Sequence, residues 1–167
     1  MLKPAVLYKE ALSEKVINTW FVDKYKYWNC GSYHANQKIN DDTWSANQFV
    51  SVNKTGEVIG HIGYNIDRET CYANSLSIIN FSEDIITFGI DLKTAIDDIF
   101  TKYKFGKLSF SVIVGNPIEK SYDKMCSKYG GRILGIKEKH CKLVDGNFYD
   151  LKLYEIMREN YIKAVKK

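Results

Sequence analysis

Apolar positions along this chain follow two distinct periods. Leu92, Ala95, Ile96, Ile99, Phe100 and Tyr103 recur at steps of three and four, with Lys93, Asp97, Asp98 and Lys102 between them. That spacing predicts an amphipathic helix. Leu108, Phe110, Val112 and Val114 instead alternate with their neighbours, which predicts a strand. Ahead of the helix, residues 49–53 and 58–66 flank Lys54-Thr55-Gly56 and read as a hairpin. Asp67-Arg68-Glu69 then turns the chain into a third strand over 71–81. Asn116-Pro117-Ile118-Glu119 opens a second helix with an apolar face of Ile118, Tyr122, Met125 and Cys126, and Gly130-Gly131 closes it. Two long strands, 132–144 and 148–157, finish the pattern around Asp145-Gly146-Asn147, a strong hairpin signal.

The first part of the chain is less regular. Residues 5–8 read as a short strand. Ser13 reads as the N-cap of a helix with Val16, Ile17, Trp20 and Phe21 on one face. Residues 26–47, with Tyr27, Trp28, Tyr33 and Trp44, have no clean period and read as a short helix with loops. The predicted order is β-α-α-β-β-β-α-β-α-β-β. Strands 71–81 and 108–114 flank a crossover helix and are expected to run parallel, while the others are hairpin partners. The expectation is one α/β (α+β) domain over residues 1–167, with a mixed, mostly antiparallel sheet and one central parallel pair.

Composition narrows the class. At 167 residues, 45% hydrophobic and 26% charged, the chain can build a core without staples and is neither disordered nor a disulfide miniprotein. No apolar run approaches the roughly 18 residues of a membrane span. The opening Met1-Leu2-Lys3-Pro4 leads into no apolar signal region, and Cys30, Cys71, Cys126 and Cys141 form no C-x-x-C pair. These features read as reduced thiols in a cytoplasmic protein. The net charge is +4, and only Arg68, Arg132 and Arg158 are arginines, a balance that weighs against a nucleic-acid partner. His34, His61 and His140 are isolated from one another and show no metal-ligand pattern. His61, on a strand, reads as a sheet histidine before a base.

Three segments carry a family resemblance. They are GEVIGHIGY (56–64), VIVGNPIEKSYDKMCSKYGGRILG (112–135) and DGNFYDLKLYEIMRENY (145–161). Together with the element order they resemble the GNAT superfamily of acetyl-coenzyme A-dependent N-acetyltransferases. They come nearest to the branch that includes the ribosomal-protein N-terminal acetyltransferases. The resemblance implies acetyl-CoA as cofactor and direct transfer to an amine of a small molecule or a protein. It also implies a pyrophosphate loop of the form Arg/Gln-x-x-Gly-x-Gly/Ala between a strand and a helix N-terminus. Set on Gly89, that motif is degenerate: Ile86 stands for Arg or Gln, Asp91 stands for the second Gly or Ala, and Glu83 and Asp84 lie upstream. Asp91 has a second reading, as a helix N-terminal residue favoured by the dipole.

The implied cofactor contacts are Ile78, Ile79, Phe88, Gly89, Ile90, Asp91, Leu92, Asn116 and Tyr122. Asn116 reads equally as a helix cap. Tyr122 matches the phenol that protonates the leaving thiolate in many family members, but it stands six residues after Asn116 where the family has seven. It therefore also reads as a core residue. Glu57 and Asn80 are the conceivable groups for acceptor deprotonation, and Glu57 also reads as a solvated turn residue. Backbone N–H groups of residues 75–80 are implied to polarise the thioester carbonyl. Tyr27, Trp28 and Tyr33 read as an aromatic wall for the acceptor or as a lid over the core. The basic net charge weighs against a polyamine acceptor. Two other readings stand beside the enzyme: a non-catalytic GNAT-fold module that binds a protein or peptide, and an unrelated α+β small-molecule binder.

Overall fold

In the computed structural model, which describes residues 1–28, 38–39 and 43–166, the alternating segments form one seven-stranded sheet ordered β1-β2-β3-β4-β5-β7-β6. The strands are β1 (Leu2–Pro4), β2 (Ala46–Val52), β3 (Val58–Asp67), β4 (Tyr72–Asn80), β5 (Lys107–Ile113), β6 (Arg132–Lys142) and β7 (Phe148–Met157). Every ladder is antiparallel except β4 with β5. The mixed sheet with a central parallel pair is as the sequence predicts. Helices α1 (Lys9–Ile17), α2 (Ile85–Thr101), α3 (Glu119–Lys128) and α4 (Arg158–Val165) flank it.

The alternation sorts side chains onto two faces. Ile62, Tyr64 and Ile66 of β3, Leu108, Phe110 and Val112 of β5, and Tyr154 and Ile156 of β7 meet the apolar stripes of α2, α3 and α4 in the main core. The opposite face carries two separate clusters. One joins α1 to β2 and β3 through Leu12, Val16, Val50, Val52 and Val58. The other gathers Ile113, Cys141 and Leu143 with Tyr27 and Tyr149. Close backbone approach is built in at two places. A Cβ on Gly60 would stand 2.3 Å from a ring carbon of Phe88, so α2 seats directly on β3. Beyond α3, Gly130 takes φ +64° and a Cβ on Gly131 would meet Cys126 Sγ at 2.7 Å, which is why this helix ends on paired glycines.

Several early elements differ from expectation. Residues 5–8 form a 3-10 turn, and the strand is Leu2–Pro4, one step earlier. The apolar run misleads because Val6 and Leu7 are exposed and only Ala5 is buried. Ser13 sits inside α1, donating from Oγ to the Lys9 carbonyl at 2.8 Å, and so does not cap it. Among the described residues, the 26–47 region holds no helix; a 3-10 turn at Asp23–Tyr25 precedes it. Helix α4 was not anticipated. It docks by Tyr161, whose ring stacks on Phe100 at 4.4 Å and whose hydroxyl donates to Asp97.

One core residue is anomalous. His61 of β3 is fully buried between Val50 and Ile79 of the flanking strands, and neither ring nitrogen has a hydrogen-bond partner. Its ring lies along the strand over Gly63, where a Cβ would come within 3.0 Å of Cε1. Burial disfavours the imidazolium and pulls its pKa down to about 4. The folded pKa is therefore below the unfolded value of about 6.5. Stability is complete above pH 6.5 and falls as the pH drops toward 4, by about 3 kcal/mol from this group. Urea titrations of the wild type and His61→Leu between pH 8 and pH 4.5 check this. The wild type should lose stability over that range, and the variant should lose markedly less.

Candidate functional site

The parallel pair is barely a pair. Only Tyr72 with Lys107 and Ala73 with Leu108 are in register, and the strands then diverge. The cause is local. Between Gly63–Asn65 of β3 and Asn74–Ser77 of β4 the register shifts by one extra residue on β4, and Ser75 there adopts φ +55°. A bulge of this kind bends the strand that carries it. Beyond it β4 stays paired to β3 up to Gly60 with Asn80, while β5 stays paired to β7 up to Ile113 with Leu151. The backbone edge of residues 76–80 is thus left without a strand on its β5 side. The result is a fork in the middle of the sheet.

The fork is bridged on the α1 face. Trp28 packs into the α1 cluster and donates from Nε1 to Ser77 Oγ of β4 at 3.3 Å. Its neighbour Tyr27 packs into the other cluster, edge-on to Tyr149 of β7 at 6.1 Å. Its hydroxyl reaches the turn after β5, 3.9 Å from where a Gly115 Cβ would stand. Consecutive aromatic residues therefore grip opposite limbs of the fork. Tyr33, the third predicted member of this wall, lies outside the described residues. Trp44 is exposed, with Arg68 over its ring, and belongs to neither limb.

The strand-to-helix junction lies earlier than the motif register implies. Helix α2 starts at Ile85, so Phe88, Gly89, Ile90, Asp91 and Leu92 are inside it and cannot form a loop. This corrects the assignment of these residues as an anion-binding loop, because in mid-helix their N–H groups are spent on the helix itself. Phe88 is core. Ile90 points to solvent. A Cβ on Gly89 would meet nothing within 4 Å, so this glycine serves no close approach. Asp91 is not at a helix N-terminus either. It is buried and accepts from Ser51 Oγ at 2.6 Å and pairs with the Met1 ammonium at 2.9 Å, tying α2 to β1 and β2. The residue at the true start is Asp84. Its carboxylate caps the helix by accepting from Thr87 N at 3.0 Å, and these backbone donors hold the carboxyl below its usual range.

The remaining candidates fall into place around this frame. Tyr122 is buried on the opposite face, edge-on to Phe110 at 5.5 Å and to Tyr154 at 6.3 Å, and burial raises its phenol pKa. Asn116 Oδ1 accepts from Ile118 N at 3.1 Å, an Asx turn one step before α3, whose first residue is Glu119. Asn80 Oδ1 accepts from both Ser82 N and Ser82 Oγ, closing the turn that ends β4. Glu57 lies on the β2–β3 hairpin, across β4 from the fork, where Lys15 pairs with it at 2.6 Å and lowers its pKa. Ile78 packs toward the main core and Ile79 is buried beside His61, so what both offer the fork is backbone.

One cluster escaped sequence reasoning. Lys152 of β7, 12% exposed, bonds Asp123 at 2.7 Å and Glu119 at 3.1 Å, and Asp123 accepts from Tyr154 at 2.8 Å. It bolts α3 to β7 beside Tyr122. The signal available was the i, i+4 spacing of the two carboxylates on α3.

No family model matches the chain, and no curated protein matches it by sequence. Solved structures do match. A spermidine N-acetyltransferase from Vibrio cholerae, solved with CoA and spermine, aligns over 97% of both chains with a TM-score of 0.73 at 18% identity. The fold is the GNAT fold. Mutant forms of the spermidine/spermine N-acetyltransferase of that organism align over 74% of this chain and 70% of theirs, with a TM-score of 0.63 at 21% identity. A chimera of the Vibrio cholerae enzyme with hSSAT gives 0.61 at 22% identity, over 72% and 74%. In this GNAT fold the predicted mixed sheet and its parallel pair hold, while the predicted order departs at the first strand, at the expected second helix, at the added α4 and at the start of α2.

Asp91→Ala separates the structural role from a loop role. It should cost about 2–4 kcal/mol in urea denaturation, because Ser51 and the ammonium lose a buried partner. A change under about 0.5 kcal/mol would show that the tie carries no weight.

Proposed function

We propose that the protein is a GNAT-type N-acetyltransferase of the cytoplasm that moves an acetyl group from acetyl-CoA to the amine of a small molecule. The observation that carries this reading is the fork: a one-residue bulge at Ser75 unzips β4 from β5 and leaves the edge of residues 76–80 without a strand partner. Unpaired strand edges bind extended amide chains through their N–H and C=O groups. The pantetheine arm is such a chain, and it fits here. The diphosphate fits less well, because Asp84 already occupies donors at the α2 start.

When bound, acetyl-CoA supplies an acetyl group already activated as a thioester. The chain's own residues do the rest. Backbone donors of 76–80 orient the bound amides. Tyr27 and Trp28 close the α1 side of the fork against water, and the Trp28 ring face suits an ammonium acceptor, whereas Lys26 already stands over the Tyr27 ring at 5.3 Å. Tyr122 holds its proton at Oη well above neutral pH, which leaves it able to donate to a departing sulfur. Glu57 is a poor base, since Lys15 lowers its pKa, and the Asn80 oxygen is engaged by Ser82, so water carries the acceptor's proton.

The likeness to enzymes named for spermidine, one solved with spermine, favours a small polyamine-like acceptor over a ribosomal protein N-terminus. The net charge of +4 opposes this only through long-range steering, which alters encounter rates more than the seat itself. The Asp84 cap favours a second reading, a binding module without turnover. Thiol release from acetyl-CoA, followed over an amine panel that includes spermidine, decides between them. Turnover is expected with at least one small amine, and Tyr122→Phe should lower kcat about 100-fold with KM little changed. Absence of turnover with every amine would leave the binding module.

A further inference from the structure

The fork and the helix start make opposite demands on one donor. In the fork, the edge of residues 76–80 is open to an amide chain. At the α2 start, the groups that would meet a diphosphate are already engaged. Asp84 accepts from Thr87 N at 3.0 Å. Ile85 N donates to the Glu83 carbonyl at 2.9 Å. A carboxylate thus sits where an anionic ligand would sit, and it adds like charge to the loss of free donors.

Nearby cations do not offset this. Lys24 Nζ is paired with Glu83 at 2.9 Å, and the Met1 ammonium with Asp91 at 2.9 Å. The undescribed residues 29–37 and 40–42 contain no lysine or arginine, so they bring no further guanidinium or side-chain ammonium. The side chains that lead the helix, Ile85 and Ile86, are 74% and 76% exposed and apolar. Among the described residues, the helix-start donors Ile85 N and Thr87 N are engaged and the cations of Lys24 and Met1 are paired, so both devices that recognise a diphosphate are depleted here.

We propose that this protein selects its donor by the pantetheine arm alone, with Asp84 as the residue that withholds recognition from the nucleotide diphosphate. The substrate class is S-acyl pantetheine thioesters, with or without an attached nucleotide. This rests on the acetyltransferase reading above and specifies which part of the donor that site reads. Asp84 acts by occupying backbone donors, so its effect appears in binding before any chemistry.

Calorimetry with CoA and with pantetheine, neither of which can turn over, tests it. The wild type should bind CoA less than about tenfold tighter than pantetheine. In Asp84→Ala the helix N–H groups are freed, and the CoA-to-pantetheine ratio should rise at least about tenfold with pantetheine affinity unchanged. Asp84→Asn, which keeps the cap without the charge, should fall between and guards against loss of the helix start in the alanine variant. A wild-type preference for CoA of tenfold or more, or a ratio that neither variant changes, overturns the inference while leaving the acetyltransferase reading intact. Failure of both ligands to bind the wild type overturns the acetyltransferase reading and this inference with it.

Discussion

The whole arrangement hangs on how β4 leaves β5. Two register pairs at the closed end hold the halves of the sheet together, with Lys107 above the Tyr72 ring at 4.4 Å on the same pair. Immediately past them Ser75 goes to positive φ and adds its extra residue. A residue with a side chain in the left-handed region costs energy, and the cost is recovered because β4 then follows the twist of β3 while β5 follows β7. Each half keeps its own ladder. The sheet stays one sheet by connectivity and by its helices more than by hydrogen bonds across the middle.

That division explains the two faces. On the side of α2, α3 and α4 the core is continuous, since Phe88 seats on Gly60 in one half while Tyr122 packs edge-on to Tyr154 in the other. This face welds the halves. On the α1 face the apolar clusters remain separate among the described residues, with the adjacent Trp28 packed into one and Tyr27 into the other. The fork therefore has a continuously packed floor and a roof bridged by two side chains. Binding sites commonly take that form, with specificity residues carried on a connecting segment over a fixed scaffold. On the proposed function, the acceptor would be met by the segment around 27–28 and the donor by the edge of β4.

Much of this was legible from periodicity. The stripe from Leu92 to Tyr103 and the alternation from Leu108 found α2 and β5, and the turn residues found the hairpins, because burial on one face leaves a regular mark. Hydrogen bonding across a sheet leaves none. The Ser75 bulge sits in an ordinary strand sequence, so parallel pairing was inferable but its early end was not. Residues 5–8 failed for a related reason: three apolar residues in four resemble a strand, yet Val6 and Leu7 face water. Polar contacts such as Lys152 with Glu119 and Asp123, or Asp91 with Ser51, join residues far apart in sequence; the i, i+4 carboxylates on α3 mark one side of the first, but no local pattern announces either partner.

The helix start shows how one local rule can override another. Setting the loop motif on Gly89 gives glycine priority and places the junction inside α2. Capping chemistry points elsewhere: Asp84 precedes the first apolar residues of the helix, and an aspartate there is a strong N-cap. The cap governs because a helix start needs an acceptor for its orphan donors, whereas a glycine in mid-helix is merely tolerated. The same fact carries a functional weight. An anion site at a helix start is the set of orphan donors, so a residue that satisfies them internally removes the site while improving the fold. Asp84 caps α2 at the place where a diphosphate site would need free donors, while the edge of residues 76–80 on β4 has no strand on its β5 side.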